Sequence, residues 1–326
     1  MTIICKHYDL SMHHTETIEQ SQVATYLKHE QTLLWIEMKL PSDGELDWLG
    51  QTFSLNPDTV KLVQAKEGYP SFDWHEEYYV FTSTAVHFDE QHVLHDPVYI
   101  IFSQKYIITV EYQPIGFLDG VRRQWESNEV LEHAALYFIF LTIDSITDSY
   151  FEVIRVIRSK INELRNTSVE PGQTHVPQKV QGLTDYLNEI DYLIFYSIHS
   201  IYAFFRKVEG HSLYPITASR TDFLLIEKHY QQIDNQIRSG KEILAILLHQ
   251  FQTRQTDYLN TLVNRLTVVT IILSTAAVIT GFYGINVGGL FPNTNNHNGA
   301  LFVLALIVLL GVIQFLLLRP LWRRKS

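Results

Sequence analysis

The chain holds a single cysteine, Cys5, among 326 residues, so no disulfide can form within it, which fits a reducing compartment. Proline is missing from Ile216 to Phe291, which allows an unbroken helix from about Asp222 to about Phe282. Such a helix would be roughly 90 Å long, and Gly240 would be its weakest point. Charge is missing from two stretches. One is Leu266–Phe282, "LTVVTIILSTAAVITGF"; the other is Ala300–Leu318, "ALFVLALIVLLGVIQFLLL", whose one strongly polar residue is Gln314. Lys and Arg are missing from the segment between them, 283–299. The first twenty residues hold no apolar core of signal-peptide length, so the first 250 residues are expected not to be secreted. No Walker loop, HExxH or Gly-x-Ser-x-Gly occurs, so nothing suggests ATP coupling, and no enzyme is expected.

What is present divides sharply. The whole chain is 46% apolar and 18% charged, ordinary for a folded protein, with a net charge of −10. Residues 251–326 hold Arg254, Arg265, Arg319, Arg323, Arg324 and Lys325 against only Asp257, a balance of +5 that leaves −15 for the first 250 residues. That acidic part offers no basic face for nucleic acid.

The two uncharged stretches are roughly 25 and 28 Å long as helices, close to the hydrocarbon thickness of a bilayer. They predict a transmembrane hairpin over 263–326, with spans at about 266–282 and 300–318 and an outer loop at 283–299. Cations lie before the first span (Arg254, Arg265) and after the second ("RPLWRRKS"), which puts both termini in the cytoplasm and the chain in the cell inner membrane.

The first span carries an ordered face. Steps of three and four pick out Asn260, Val263, Thr267, Thr270, Ser274, Ala277 and Gly281, most of them small or polar. The register continues backwards through Thr256, Thr253, His249, Ile246, Glu242, Ser239 and Asn235. An adjacent register is an apolar seam: Ile226, Tyr230, Ile233, Ile237, Leu244, Leu247, Phe251 and Tyr258. The seam would pack on neighbouring helices. The stripe has two readings, a pore wall or close helix packing through small residues. One helix cannot enclose a channel, so a pore requires a ring of copies.

Residues 33–112 read as mixed strand and helix. "LLWIEMKL", "EYYVFTSTAVHF", "DPVYIIFSQK" and "YIITVEY" are strand-like, "ELDWLGQTFS" has helical spacing, and Asn56-Pro57 starts a helix. From Val130 the pattern is helical, interrupted by "EPGQTHVPQ" at 170–178 and resumed to about Gly210. The expected fold class is an α+β (α/β) cytoplasmic domain at 1–215 with a helical bundle, a long stalk helix at 216–262, and the hairpin.

In this order of elements the chain resembles the CorA superfamily of divalent metal-ion transporters. "YGIN" (Tyr283–Asn286) stands where the family has Tyr-Gly-Met-Asn, at the outer end of the first span. "WIEMKLPSDGELDWLGQTFSLNP", "YIITV" and "LTIDSITDSYFEVI" match family segments more loosely. The sequence departs from the magnesium-selective pattern. Ile285 replaces Met, and "NVGGLFP" follows, which is closer to the zinc-transporting ZntB-like branch or another divergent CorA-like member. The outer loop has no Asp or Glu, and the first span lacks the family's proline.

The resemblance implies a CorA-like homopentamer in the lipid bilayer, passing divalent cations, Mg²⁺ or Zn²⁺, along the first span. No cofactor is implied besides the transported ion. Gly284, Ile285 and Asn286 would form the ion entrance. The carboxamide of Asn286 and the carbonyl of Gly284 would be uncharged acceptors able to hold a hydrated metal without stripping its waters. Gly284 could instead simply end the helix. Val263 and Leu266 match the family's hydrophobic constriction, where a ring of apolar side chains could gate by dewetting. Asp144, Asp148 and Glu152 share a helix face, either as regulatory carboxylates or as a solvated stripe. The histidines at 13–14, 75, 87, 92, 95 and 297 show no tight zinc spacing. A weakly selective cation channel and a non-conducting membrane scaffold of the same fold remain the alternatives.

Overall fold

The computed structural model describes residues 3–323, apart from 13, 67, 90–91, 114–115, 117, 127–134, 167–174, 210–215 and 285–296. Two compact units emerge: 1–166 with 179–244, and 167–178 with 245–326.

The first unit is built on a seven-stranded sheet: β1 (Ile3–Asp9), β2 (His14–Ile18), β3 (Thr32–Lys39), β4 (Ser71–Trp74), β5 (Tyr79–Asp89), β6 (His92–Phe102) and β7 (Tyr106–Glu111), in the order β2-β1-β3-β7-β6-β5-β4. Only β3 and β7 pair in parallel, with Leu34 opposite Tyr106 and Lys39 opposite Glu111. These central strands are buried on both faces, which is why "LLWIEMK" and "YIITVE" read as near-continuous apolar runs rather than alternations.

Each face has its own cover. On one face Leu34, Ile36, Met38, Ile108 and Val110 share a core with Leu46 and Leu49 of α2 (Asp43–Thr52) and Val63 of α3 (Pro57–Gln64); the short α1 (Val23–Tyr26) adds Val23. Both helices start where their caps dictate. The Ser42 hydroxyl and the Glu45 carboxylate close a reciprocal capping box on α2. Asn56 accepts from the Asp58 amide ahead of Pro57, so the ring of Pro57 sits where no amide proton is needed.

The opposite face carries Trp35, whose ring meets Trp125 of α4 (Leu118–Glu126) at 5.2 Å and Phe138 of α5 (Ala135–Asn166) at 4.7 Å. Phe81 and Phe102 of the sheet meet Phe204 of α6 (His175–Glu209). The same layer holds the first part of α7 (Ile216–Gly284), where Phe223 stacks near Phe204 at 4.8 Å and Tyr230 near Tyr150 at 6.2 Å. The expected apolar seam is buried here: Ile226, Tyr230, Ile233, Ile237 and Leu244 are at most 1% exposed. Beyond it Phe251 is also buried, whereas Tyr258 is exposed.

Gly240 sits in this helix for lack of space. A Cβ there would lie 3.0 Å from Leu187 Cδ1 and 3.7 Å from Ile161 Cδ1. The position read as a weakness in the sequence is where side chains of α5 and α6 press against α7. A salt link from Lys241 Nζ to Asp191 Oδ2, 2.6 Å, follows one residue on.

The same sheet face buries charge. Glu37 of β3 and Glu111, the last residue of β7, are 1% exposed at their side chains and lie two positions apart in the register, Glu37 opposite Thr109 and Glu111 opposite Lys39. Arg122 of α4 reaches both: its Nε donates to Glu37 Oε1 at 2.6 Å and its terminal nitrogen to Glu111 Oε1 at 3.3 Å, while Asp119 pairs with its other terminal nitrogen. Lys39 Nζ lies 3.6 Å from each carboxylate. Burial pushes the Glu111 carboxyl up to about 7, although Lys39 and Arg122 pull it down. One oxygen of each glutamate has no hydrogen-bond partner among the described residues.

Candidate functional site: the apolar hairpin

The second unit contains the rest of α7 and α8 (His297–Arg323), and both helices are long and apolar enough to cross a membrane. Their large side chains are bare. Leu266 is 67% exposed, Leu273 63%, Val278 71% and Leu317 73%. Core helices of a soluble domain would hide such residues, and lipid is the solvent in which this surface is stable.

The two helices touch along one face of α7. Val268 is buried, and Ile272, Thr275 and Ile279 are half-buried. A Cβ on Gly311 would rest 3.7 Å from Ile272 Cγ2, so this small residue lets the helices approach closely. Beside this contact, Gln314 Nε2 donates to Thr275 Oγ1 at 2.7 Å.

The stripe faces elsewhere. At about 100° per residue, the seam through 268, 272, 275 and 279 lies roughly 150° around the helix from the stripe through 267, 270, 274, 277 and 281. Asn260, Val263, Leu266, Thr267, Thr270, Ser274, Ala277 and Gly281 are all exposed within this chain. The second span therefore covers the opposite side of the helix from the small and hydroxyl-bearing residues. Packing within the hairpin does not explain the stripe.

Its hydroxyls are polarised by the helix itself. Thr267 Oγ1 donates to Val263 O and Thr270 Oγ1 to Leu266 O, each at 2.8 Å. With each proton turned inward, the lone pairs point outward, and the surface offers acceptors. Acceptors suit the water shell of a cation.

Gly284 is the last residue of α7, and it is exposed. Ile285 and Asn286, with the rest of the segment to 296, lie outside the described residues, and so does His13; His297 is placed only as the first residue of α8. Among the described residues, no group of three or more His, Cys, Asp or Glu side chains is arranged to hold a metal. His87 pairs with Asp96 and His95 with Glu189, while His75 bonds to Thr59. Asp144, Asp148 and Glu152 do not behave alike. Asp144 binds His229 Nδ1 at 3.0 Å, tying α5 to α7. Burial and the neighbouring Asp144 push the Asp148 carboxyl up. Glu152 pairs on the surface with Arg155.

An acidic α/β unit, a long helix and a lipid-soluble hairpin define the class: a two-span membrane protein whose first span keeps one face free. A family model described as CorA-like Mg²⁺ transporter protein matches residues 30–323, and the chain belongs to that family of membrane metal-ion transporters. Among curated proteins, the cobalt/magnesium transport protein CorA of Methanocaldococcus jannaschii is 22% identical over 286 residues, 86% of this chain and 88% of that protein. The complete structure of the CorA magnesium transporter from the same organism superposes with a TM-score of 0.81 at 20% identity, covering 100% of this chain and 98% of that one. The cytoplasmic domain of ZntB from Vibrio parahaemolyticus superposes at 0.62 with 15% identity, covering 79% of this chain and 100% of that one. At these identities the superpositions speak for the fold.

Proposed function

We propose that the protein passes divalent cations across the cell inner membrane as a homopentamer, with the stripe of the first span lining the path. The observation that carries this reading is the free face. A polar, acceptor-rich stripe set opposite the span–span seam has no use in lipid and a clear use around an axis of identical copies. Five copies of Asn286, with the carbonyl of Gly284, form the entrance. Uncharged oxygens there hold a hydrated ion without binding it tightly. Val263 and Leu266 narrow the inner end with apolar side chains. The acidic soluble unit raises the local cation concentration. Basic residues on the flanks keep both termini in the cytoplasm.

Mg²⁺ is the first candidate ion, in line with the relatives' names. Zn²⁺ is the second, because the Gly-Ile-Asn sequence and the following Gly-Gly pair depart from the magnesium pattern. The test is uptake of Mg²⁺, Zn²⁺ and K⁺ into proteoliposomes, with Asn286→Ala alongside. Divalent uptake that collapses in the variant supports the entrance and names the ion. Uptake of K⁺ as fast as Mg²⁺ would favour a weakly selective channel, and no uptake at all a scaffold.

A further inference from the structure

We propose that Gln314 is a positioning residue: its hydrogen bond to Thr275 fixes the rotation of the first span, and so decides which face of that span meets the ion path. The proposal rests on the transport reading above for its consequence, but not for its geometry.

The chemistry singles this residue out. Gln314 is the one strongly polar side chain in a nineteen-residue apolar stretch. Its carboxamide turns towards the first span, where Nε2 reaches Thr275 Oγ1 at 2.7 Å. Hydrogen-bond logic settles the orientation. Thr275 Oγ1 already donates its proton to Ile271 O at 3.0 Å, so it can only accept from Gln314. The carbonyl oxygen Oε1 of Gln314 is enclosed and has no partner among the described residues. The bond to Thr275 is thus the one polar contact that Gln314 makes with the first span among those residues.

Apolar packing alone specifies helix rotation poorly in a membrane. Leu, Ile and Val side chains meet lipid and one another on nearly equal terms. Around this hairpin most positions are interchangeable in that sense; Leu273, Val278, Leu309 and Leu317 are all exposed. A single directional bond, reaching across the close approach of Gly311 and Ile272, breaks the degeneracy. Thr275 held against the second span puts Ser274, Thr270 and Ala277 on the far side. A rotation of one residue, about 100°, would bring Leu273 and Val269 towards the axis instead.

Four variants and one pair of cysteines test this. Gln314→Leu and Thr275→Val remove the bond with little change of volume; Thr275→Ser keeps the hydroxyl; the double variant removes both partners. Ile272→Cys with Gly311→Cys, in a Cys5→Ser background, reports the span–span register by its rate of oxidative crosslinking in membranes. One intramembrane hydrogen bond shifts an equilibrium by about three- to twentyfold. Gln314→Leu and Thr275→Val are therefore each expected to slow crosslinking by about that factor, and the double variant no further. Thr275→Ser should behave as the native protein. In proteoliposomes the maximal Mg²⁺ uptake rate should fall with the crosslinking rate. The half-saturating concentration should hold, because the entrance at Asn286 is untouched. Unchanged crosslinking in Gln314→Leu overturns the proposal, and so does slowed crosslinking with unchanged uptake. Slowed crosslinking in a protein whose native form carries no ions keeps the register and refutes the transport reading instead.

Discussion

Replacing Arg122 by Leu is the sharpest test of how the soluble unit is held together. The substitution keeps most of the aliphatic bulk between β7 and α4 and removes the guanidinium that reaches Glu37 and Glu111. Both carboxylates are 1% exposed, and each already has one oxygen without a partner among the described residues. Among the described residues Lys39, 3.6 Å from each, would remain to balance them. Stripping one partner from a buried ion pair costs about 3–5 kcal/mol, which is a large share of a domain's stability. The cost must depend on pH, and its sign follows from Glu111. In the native protein burial raises that carboxyl from 4.5 to about 7. The folded state therefore holds a proton that the unfolded chain has lost, and stability declines as pH rises through that window, then levels. Without Arg122, one of the cations that lower it, the carboxyl titrates higher still. The variant then keeps losing stability above pH 7, where the native protein has levelled. The gap between the two should be about 3–5 kcal/mol at pH 8 and about 1 kcal/mol smaller at pH 6, because the native carboxyl has on average already lost half its proton across that range and one proton contributes at most about 1.36 kcal/mol per pH unit. Urea unfolding of the detergent-solubilised protein, followed by tryptophan fluorescence, reads this directly, since Trp35 and Trp125 lie in the same layer. Adding Glu111→Gln should recover part of the loss at pH 8. A cost below about 1 kcal/mol that is flat from pH 6 to 8 would refute the account of this cluster.

Two further predictions concern the long helix. Gly240→Ile should destabilise by about 1–3 kcal/mol in the same unfolding assay, because its side chain must displace Leu187 and Ile161, whereas Gly240→Ala should fall near neutral as helix propensity offsets the tight contact. If Leu266 belongs to the constriction proposed above, Leu266→Ser should raise resting divalent leak into proteoliposomes, since a hydroxyl there would keep the passage wet; an unchanged leak would remove Leu266 from it.

The sequence exposes the parts of this protein in which one physical demand dominates. The central strands are buried on both faces and so are apolar throughout; the spans meet lipid and so carry no charge; α2 and α3 announce themselves through Ser42 with Glu45 and through Asn56-Pro57. The missed elements answer to several demands at once. β1 buries Lys6 and His7, polar side chains that look solvent-bound until Lys6 is seen 3.0 Å from Glu126 and over the Trp35 ring. β2 is mostly exposed and has no apolar alternation. α4 carries two arginines and a glycine, and only Leu118, Val121 and Trp125 mark its buried side; that spacing of three and four was its readable signal. Of the interruption expected at 170–178, residues 170–174 lie outside the described residues and 175–178 are helical: α6 begins at His175, because Pro177 falls in its first turn, where proline is tolerated. The Glu37–Glu111–Arg122 cluster also had a signal, two acids closing two apolar strands. In the hairpin, the stripe and the lone Gln314 are plain in one dimension. Which face of the helix the second span covers is a matter of rotation, and only the three-dimensional contacts of Thr275 and Gly311 supply it.

The most direct measurement on the central claim is block of transport by a thiol reagent. Ser274→Cys lies on the free stripe and Val269→Cys lies well around the helix from it, both exposed in the single chain. In a Cys5→Ser background, a small, charged, water-soluble methanethiosulfonate should stop Mg²⁺ uptake through Ser274→Cys and leave Val269→Cys unaffected. Equal block at both positions, or at neither, would contradict a pore wall formed by this face.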